Sequence, residues 1–269
     1  MSVNGNVMRI AVLHTFVEFN ARKKNIDRVS SSIERALHYE ERIKMVILPQ
    51  MVNGTALYEE IAGKGVKISG ETIPGPTIEE LVNVSRKFNA SLLVGPILER
   101  RGSKLYRSTT FISGSEVKKV VRQITARGRI SGYRGIPYID LNSSGIGIYI
   151  ADDIFYPEIA LIFSIINPSI TIFFPSIESD IVKQQLMAKA RAVESRSVTI
   201  MVGGIYTYKQ EIMGVVPTIV LDEEGDEVER VDKVDERIIV LNVNVKLRPN
   251  HVVTNERKRI LKILKKLLH

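Results

Sequence analysis

The sequence contains no cysteine, no tryptophan and only four histidines among its 269 residues. Without cysteine the chain cannot form a disulfide bond, a thiolate metal site or a cysteine nucleophile. Four scattered histidines do not favour a histidine-rich metal centre, so we expect no metal site, and we predict no cofactor. The lack of cysteine and tryptophan, together with many charged residues, is compatible with a protein from a thermophile.

Long hydrophobic runs are also missing. No apolar stretch reaches the roughly 18 residues of a transmembrane helix, and residues 1–14 lack the basic and apolar regions of a secretory signal. The sequence therefore predicts no membrane span and a cytoplasmic location. Apolar residues make up 44 % of the chain and charged residues 25 %, which is typical of a globular protein with a sizeable core. We predict one domain over residues 1–250 and a separate tail over residues 251–269.

The net charge of +8 is unevenly distributed. Residues 100–134 contain ten basic residues and one acid, and the tail is also basic, whereas residues 222–236 contain nine acids and two basic residues. These segments either form solvated surface or attract one another within the fold or across a dimer. A third interpretation is that the basic segments bind nucleic acid or another polyanion.

Short apolar stretches alternate with segments of helical periodicity. Residues 44–49 (KMVILP) are typical of a strand buried on both faces, and residues 25–42 carry apolar side chains along one helix face. Thr77 is a candidate N-cap, with Glu80 three residues later. Further strands are predicted at residues 8–14, 91–99, 145–151, 169–175, 198–203 and 237–245, hairpins at 105–113 with 118–125 and 215–221 with 226–231, and helices at 77–89, 155–166 and 178–196.

This alternation predicts an α/β fold with mixed sheets. The tail has apolar residues at helical spacing between lysines and arginines, which indicates an amphipathic helix. Its apolar face would dock on the body of the protein or on a partner subunit. Alternatively, a free helix would bind a membrane surface or a polyanion.

Several motifs then occur in a particular order. They are VILPQ (46–50), IPGPT (73–77), Tyr106, VVRQI (120–124), IADDIFYPE (150–158) and ARAVESR (190–196). In this order and spacing they resemble the nitrilase, or carbon–nitrogen hydrolase, superfamily over about residues 8–245. The resemblance implies a four-layer α-β-β-α sandwich whose subunits pair through helices into a dimer or larger assembly.

The resemblance also implies a chemistry that cleaves amides or nitriles. Family members use a glutamate base, a lysine that stabilises the oxyanion and a cysteine nucleophile. The three matching positions here are Gln50, Gln123 and Ala151. A neutral amide cannot serve as a general base and brings no positive charge to an oxyanion, and a methyl group cannot attack a carbonyl.

Other positions also differ from the family pattern. Arg107 stands where the family has asparagine after Tyr106, and residues 126–144 offer no candidate for the second glutamate that many members have. By contrast, residues that build the fold are kept, namely Asp153, Pro157, Glu158, Arg191 and Glu194.

We therefore predict a catalytically inactive homologue that acts as a binding, structural or regulatory protein. Gln50, Gln123, Ala151, Asp152 and Tyr106 are the predicted binding residues, and the expected ligand is small and polar. The expected partners are a second copy of the chain, an active paralogue or a polyanion.

Two alternatives remain open at the sequence level. The first is an amide hydrolase with relocated chemistry, in which Asp152 acts as base or nucleophile or a serine at 143 or 144 attacks. The second is a nucleic-acid or ribonucleoprotein binder that uses the basic segment and the tail.

Overall fold

The computed structural model describes residues 7–40, 42–57, 65, 68–141, 145–245, 259 and 262. Arg259 and Lys262 are helical, but the rest of the predicted tail helix lies outside the described residues. Among the helices in the described part of the chain, none is long and apolar enough to cross a membrane.

The first sheet has six strands in the order β15-β1-β3-β4-β5-β6. Its centre is formed by β1, β3 and β4, which run parallel, and β5, β6 and β15 are antiparallel to their neighbours. The strands are β1 (Val7–His14), β3 (Ile43–Ile47), β4 (Ser91–Arg101), β5 (Lys104–Ser113), β6 (Glu116–Arg122) and β15 (Arg237–Asn244). The predicted hairpin of residues 105–113 and 118–125 is confirmed as β5 and β6.

The second sheet also has six strands, in the order β14-β13-β10-β9-β8-β7. Its strands β8, β9 and β10 are parallel and almost entirely buried, as expected for strands covered on both faces. The strands are β7 (Tyr138–Asp140), β8 (Gly145–Ile150), β9 (Ile170–Phe174), β10 (Val198–Met201), β13 (Thr218–Leu221) and β14 (Glu227–Val231).

Four α-helices cover the two sheets: α1 (Arg22–Tyr39), α2 (Pro76–Phe88), α3 (Pro157–Ile166) and α4 (Ile181–Ser195). One core joins α1 and α2 to the first sheet, a second lies between the sheets, and a third joins α3 and α4 to the second sheet. Three cores between four layers agree with the predicted α-β-β-α sandwich.

Two details differ from the sequence-based expectations. Thr77 lies inside α2 and does not cap it, because Pro76 takes the first helical position and Gly75 is the N-cap. The side chain of Glu71 instead accepts hydrogen bonds from the backbone N–H (3.1 Å) and the hydroxyl (2.9 Å) of Thr77.

The second difference is a small third sheet of β2 (Phe16–Glu18), β11 (Gly204–Tyr208) and β12 (Glu211–Val216). Residues 215–216 therefore belong to β12 rather than to the hairpin of β13 and β14. A strand of three residues such as β2 is too short for its alternation to be recognised in the sequence.

The ion pairs of the charged segments link each segment to nearby structure. In the acidic segment, Glu227 forms an ion pair with Lys189 of α4 at 3.1 Å, and Arg230 donates a hydrogen bond to the side chain of Gln185 in α4 at 3.2 Å. In the basic segment, Arg122 binds Glu99 at 2.6 Å and Arg127 binds Asp152 at 2.9 Å.

Candidate functional site

Gln50 lies in a turn just after β3 and is 1 % exposed. Its side-chain nitrogen Nε2 donates a hydrogen bond to the backbone carbonyl of Pro175 at 3.0 Å. The turn packs directly against β4 at Gly95, where a Cβ atom would lie 2.5 Å from the carbonyl carbon of Pro49. The missing side chain of Gly95 therefore fixes how closely the Gln50 turn approaches the sheet.

Ala151 directly follows strand β8 and begins a 3₁₀ turn, Ala151–Phe155. It is fully buried and has a left-handed backbone with φ of +52°, a conformation that is costly for a residue with a Cβ. The parallel register of β8 and β9 pairs Ile150 with Phe174. Ala151 therefore follows β8 beside Pro175, the residue whose carbonyl binds Gln50.

Two buried charged residues hold the turn that follows Ala151. The carboxylate of Asp153 accepts hydrogen bonds from the backbone N–H groups of Ile124 (3.2 Å) and Thr125 (3.0 Å) and from the Thr125 hydroxyl (2.9 Å). Burial raises the pKa of Asp153 to about 6, although these hydrogen bonds oppose the rise. Nε of Arg191 in α4 donates to the carbonyl of Ile154 at 2.9 Å.

Gln123 follows β6 and is completely buried. Its Nε2 donates to the hydroxyl of Thr125 at 2.8 Å, and its Oε1 accepts from Nη1 of Arg107 at 3.3 Å. Because Thr125 also binds Asp153, a continuous hydrogen-bond path joins Gln123 to the turn of Ala151. The structure thus brings the three sequence-predicted positions 50, 123 and 151 to the same end of the two sheets.

The positive charge in this region is carried by Arg107 of β5, which is 2 % exposed. Besides Gln123, its guanidinium donates to the carbonyl of Leu57 at 3.4 Å and forms an ion pair with Glu178 at 3.7 Å. A buried guanidinium needs such partners, because removing a charge from water is otherwise costly.

A cavity of about 350 Å³ lies next to these residues. Three arginines and one glutamate supply its charged wall, so the charge facing the cavity is positive. Aliphatic side chains supply the rest. The lining consists of Leu57, Ile68, Leu98, Leu105, Arg107, Arg127, Gly128, Arg129, Ile130 and Glu178.

Asp152 lies at the edge of the cavity, where it is engaged by neighbours. Both of its oxygens accept hydrogen bonds from Nη1 of Arg127, at 3.0 and 2.9 Å, and Oδ1 also accepts from the hydroxyl of Ser179 at 3.0 Å. A carboxylate whose oxygens are occupied by a guanidinium is a poor nucleophile. The alternative serine positions, 143 and 144, lie outside the described residues.

Tyr106 is placed differently from the other predicted residues. Along a strand, neighbouring side chains point to opposite faces, so Arg107 contacts the cavity while Tyr106 does not line it. The Tyr106 ring instead packs edge-on against Tyr133, with centroids 6.2 Å apart, and below the guanidinium of Arg122 at 5.8 Å.

Arg107 departs from the family pattern, but Arg107, Arg127 and Glu178 are not among the sequence-predicted site residues. An arginine in the middle of a predicted strand was a usable signal, since buried charges require partners. No comparable signal marked Glu178, because its contact with Arg107 joins residues 71 positions apart.

The arrangement can form hydrogen bonds and hold a negative charge, but its side chains at 50, 123 and 151 cannot accept a proton or attack a carbonyl. Within the described part of the chain, no group of three or more histidine, aspartate or glutamate side chains could hold a metal ion.

A family model described as "Carbon-nitrogen hydrolase" matches residues 9–248. No curated protein matches the sequence significantly. Among solved structures, the chain is similar to Nit3 of Saccharomyces cerevisiae, described as a member of branch 10 of the nitrilase superfamily. The identity is 20 %, the TM-score 0.70, and the match covers 95 % of this chain and 94 % of that one.

Two further structures share the fold. A carbon-nitrogen hydrolase from Helicobacter pylori G27 is 16 % identical, with a TM-score of 0.67 and coverage of 97 % and 95 %. An amidase from Nesterenkonia sp. AN1, solved with one glutamate changed to glutamine and one cysteine to alanine in complex with acrylamide, is 15 % identical. Its TM-score is 0.75 and the coverage 98 % and 99 %.

Proposed function

The chain belongs to the carbon–nitrogen hydrolase family, and we propose that it is a member that binds a small ligand without hydrolysing it. The observation that carries this proposal is the contact of Arg107 with Gln123. The amide oxygen of Gln123 accepts a hydrogen bond at the place where the family resemblance puts a cationic lysine. The local electrostatics therefore suit an amide and disfavour the lysine that hydrolysis in this family uses.

The neighbouring positions support the same proposal. The Gln50 amide donates to the Pro175 carbonyl, a role that an ionised glutamate, which has acceptors only, could not take. Ala151 keeps a strained turn but has no reactive atom. In the Nesterenkonia amidase, a variant with the same two kinds of exchange, glutamate to glutamine and cysteine to alanine, was solved with acrylamide.

The cavity lining favours a ligand that has both a negative charge and an aliphatic part. Arg107, Arg127 and Arg129 face one lining acid, Glu178, and Asp152 binds Arg127, so one positive charge remains in excess. A guanidinium pairs well with a carboxylate. Aliphatic side chains cover the remaining wall, namely Leu57, Ile68, Leu98, Leu105 and Ile130. A short-chain carboxylate fits both features and the volume of about 350 Å³.

The experiment compares butyrate with its neutral counterpart butyramide, using the purified full chain. We expect butyrate to raise the melting temperature and butyramide to have less effect, and neither butyramide nor butyronitrile to release ammonia above the buffer background. The variant Arg129→Gln should lose the butyrate effect, whereas Lys23→Gln, on an exposed face of α1, should keep it.

Three results would contradict the proposal. Ammonia release that increases with protein concentration would show hydrolysis, and its loss in Asp152→Asn would favour the relocated chemistry. An equal rise in melting temperature with butyrate and with butyramide would contradict the proposal of an anionic ligand. So would an equal butyrate effect in Arg129→Gln and Lys23→Gln.

We also propose that the chain forms a homodimer through α4. Val182, Leu186 and Val193 on this helix are 69 %, 61 % and 50 % exposed, and such an apolar patch is typical of an interface. Light scattering after size exclusion should give twice the chain mass, and Leu186→Glu should give a monomer. A monomeric wild-type chain would oppose this proposal and leave an active paralogue as the partner.

The cytoplasmic location stays a prediction.

A further inference from the structure

A basic groove of about 660 Å³ lies beside the end of β4, separate from the cavity described above. Its cationic lining consists of Arg100, Arg101, Lys118, Lys119 and Arg122. All of these residues except Arg122 are exposed. Glu99 is the acid in this lining, and Tyr133 is the aromatic residue.

Glu99 does not offset the exposed cations, because its carboxylate is already engaged. It accepts hydrogen bonds from Nε (2.7 Å) and Nη2 (2.6 Å) of Arg122 and from the hydroxyl of Ser108 (2.6 Å). The Glu99 side chain is 3 % exposed and that of Arg122 is 11 % exposed. This pair neutralises itself, and Lys118 is paired with Glu116, so Arg100, Arg101 and Lys119 set the positive potential of the groove.

The floor and wall of the groove are held in place. The Arg122 guanidinium lies over the rings of Tyr133 (5.1 Å) and Tyr106 (5.8 Å), and the loop that forms the wall is tied to β4. In that loop, Glu71 donates its N–H to the carbonyl of Leu98 at 2.9 Å and accepts at its carbonyl from Arg100 N–H at 2.7 Å. A groove that is ordered before binding costs a ligand less entropy.

From this placement we propose that the groove binds a small oligophosphate, a molecule with two or more linked phosphate groups. Linked phosphates carry several negative charges close together, which matches a groove bordered by cations of β4 and β6. The volume corresponds to a small-molecule site. Proteins that bind single-stranded nucleic acid use successive aromatic side chains for stacking, whereas the described residues of this lining include a single aromatic one, Tyr133.

The test is isothermal titration of the full chain with inorganic triphosphate, ATP and a single-stranded RNA, in buffer without divalent metal. We expect triphosphate and ATP to bind with one-to-one stoichiometry and with an affinity that falls as salt concentration rises. The groove variant Arg100→Gln/Lys119→Gln should raise the Kd at least about tenfold, which corresponds to about 1.4 kcal/mol.

The matched control is Lys23→Gln/Lys87→Gln, which removes two exposed charges on helices α1 and α2. It should leave the Kd within about twofold of wild type, because general attraction by net charge is reduced equally in both variants. The cavity variant Arg129→Gln should also bind triphosphate normally, which keeps this test independent of the carboxylate site.

Three outcomes would overturn the proposal. The first is no heat of binding with triphosphate or ATP. The second is an equal loss of affinity in the groove variant and its control, which would indicate unspecific attraction. The third is RNA binding at concentrations where triphosphate does not bind, which would make the groove part of a nucleic-acid surface.

Discussion

The guanidinium of Arg107 donates a hydrogen bond to the side-chain oxygen of Gln123 at 3.3 Å, and both residues are at most 2 % exposed. The two residues lie on adjacent antiparallel strands or directly after them, so their separation is fixed by the sheet. A side chain at 123 must therefore provide an acceptor to the arginine. Glutamine does so, whereas lysine has only donors.

The first prediction concerns Gln123→Lys. A lysine ammonium at this position would face the Arg107 guanidinium in a buried environment, and an uncompensated buried charge costs about 3–5 kcal/mol. Urea unfolding should show a loss of that size. Adding Arg107→Asn should recover part of it, because the competing cation is removed. Gln123→Leu, which removes hydrogen bonds but adds no charge, should lose only about 1–3 kcal/mol. A lysine variant as stable as wild type would contradict the prediction.

The second prediction concerns Asp152. Because this carboxylate is bound by Arg127 and Ser179, we expect Asp152→Asn to lower the free energy of unfolding by about 1 kcal/mol. The loss should be smaller at about 1 M salt, where the partly exposed ion pair is screened. Ser179→Ala is the control, since its loss should not depend on salt. An unchanged stability at low salt would argue that the Arg127 contact contributes nothing.

The third prediction concerns the pH dependence of stability through Asp153. Burial raises its pKa to about 6 in the folded protein, above the value of about 3.9 in an unfolded chain. Between these values the folded state holds a proton that the unfolded state has released, so the stability from this group falls as pH rises. Lowering the pH from 7 to 4 should stabilise wild type relative to Asp153→Asn by ~2–3 kcal/mol. Parallel stability curves for the two proteins would refute this.

The fourth prediction concerns Gly95. Its Cβ would lie 2.5 Å from the Pro49 carbonyl carbon and 2.6 Å from the Gln50 nitrogen, so Gly95→Ala must move the Gln50 turn. We expect a loss of about 1–3 kcal/mol, as for overpacking. The matched control is Gly214→Ala in β12, where nothing lies within 4 Å of the added Cβ. Thermal unfolding of both variants checks this, and equal melting temperatures would show that the turn can yield freely.

The fold was largely predictable because its signals are local. The apolar stretch of residues 44–49 and the segment 155–166 correctly indicated a central strand and a helix. The start of α2 was less predictable, because a glycine N-cap followed by Pro76 competes with the nearby Thr77. Strand β2 is defined by its pairing with β11, almost 190 positions later, and pairing of this kind leaves no local pattern.

The candidate site was predictable in its positions but not in its contacts. The motif order placed Gln50, Gln123 and Ala151 together, and the structure brings them to one end of the sheets. The groups to which these residues bind are distant in sequence: Pro175, whose carbonyl binds Gln50, lies 125 positions from it. Only the packing of β5 shows that Arg107 lines the cavity, whereas Tyr106 packs below the guanidinium of Arg122.

The strained turn at Ala151 makes this position a natural place for a spectroscopic reporter. The backbone there is held by Asp153 and Arg191, so its shape does not depend on the small side chain it carries. Since the chain has no cysteine, Ala151→Cys would introduce a single thiol, and its S–H vibration would arise from this one point. The infrared band would then report the local electric field without interference from any other residue.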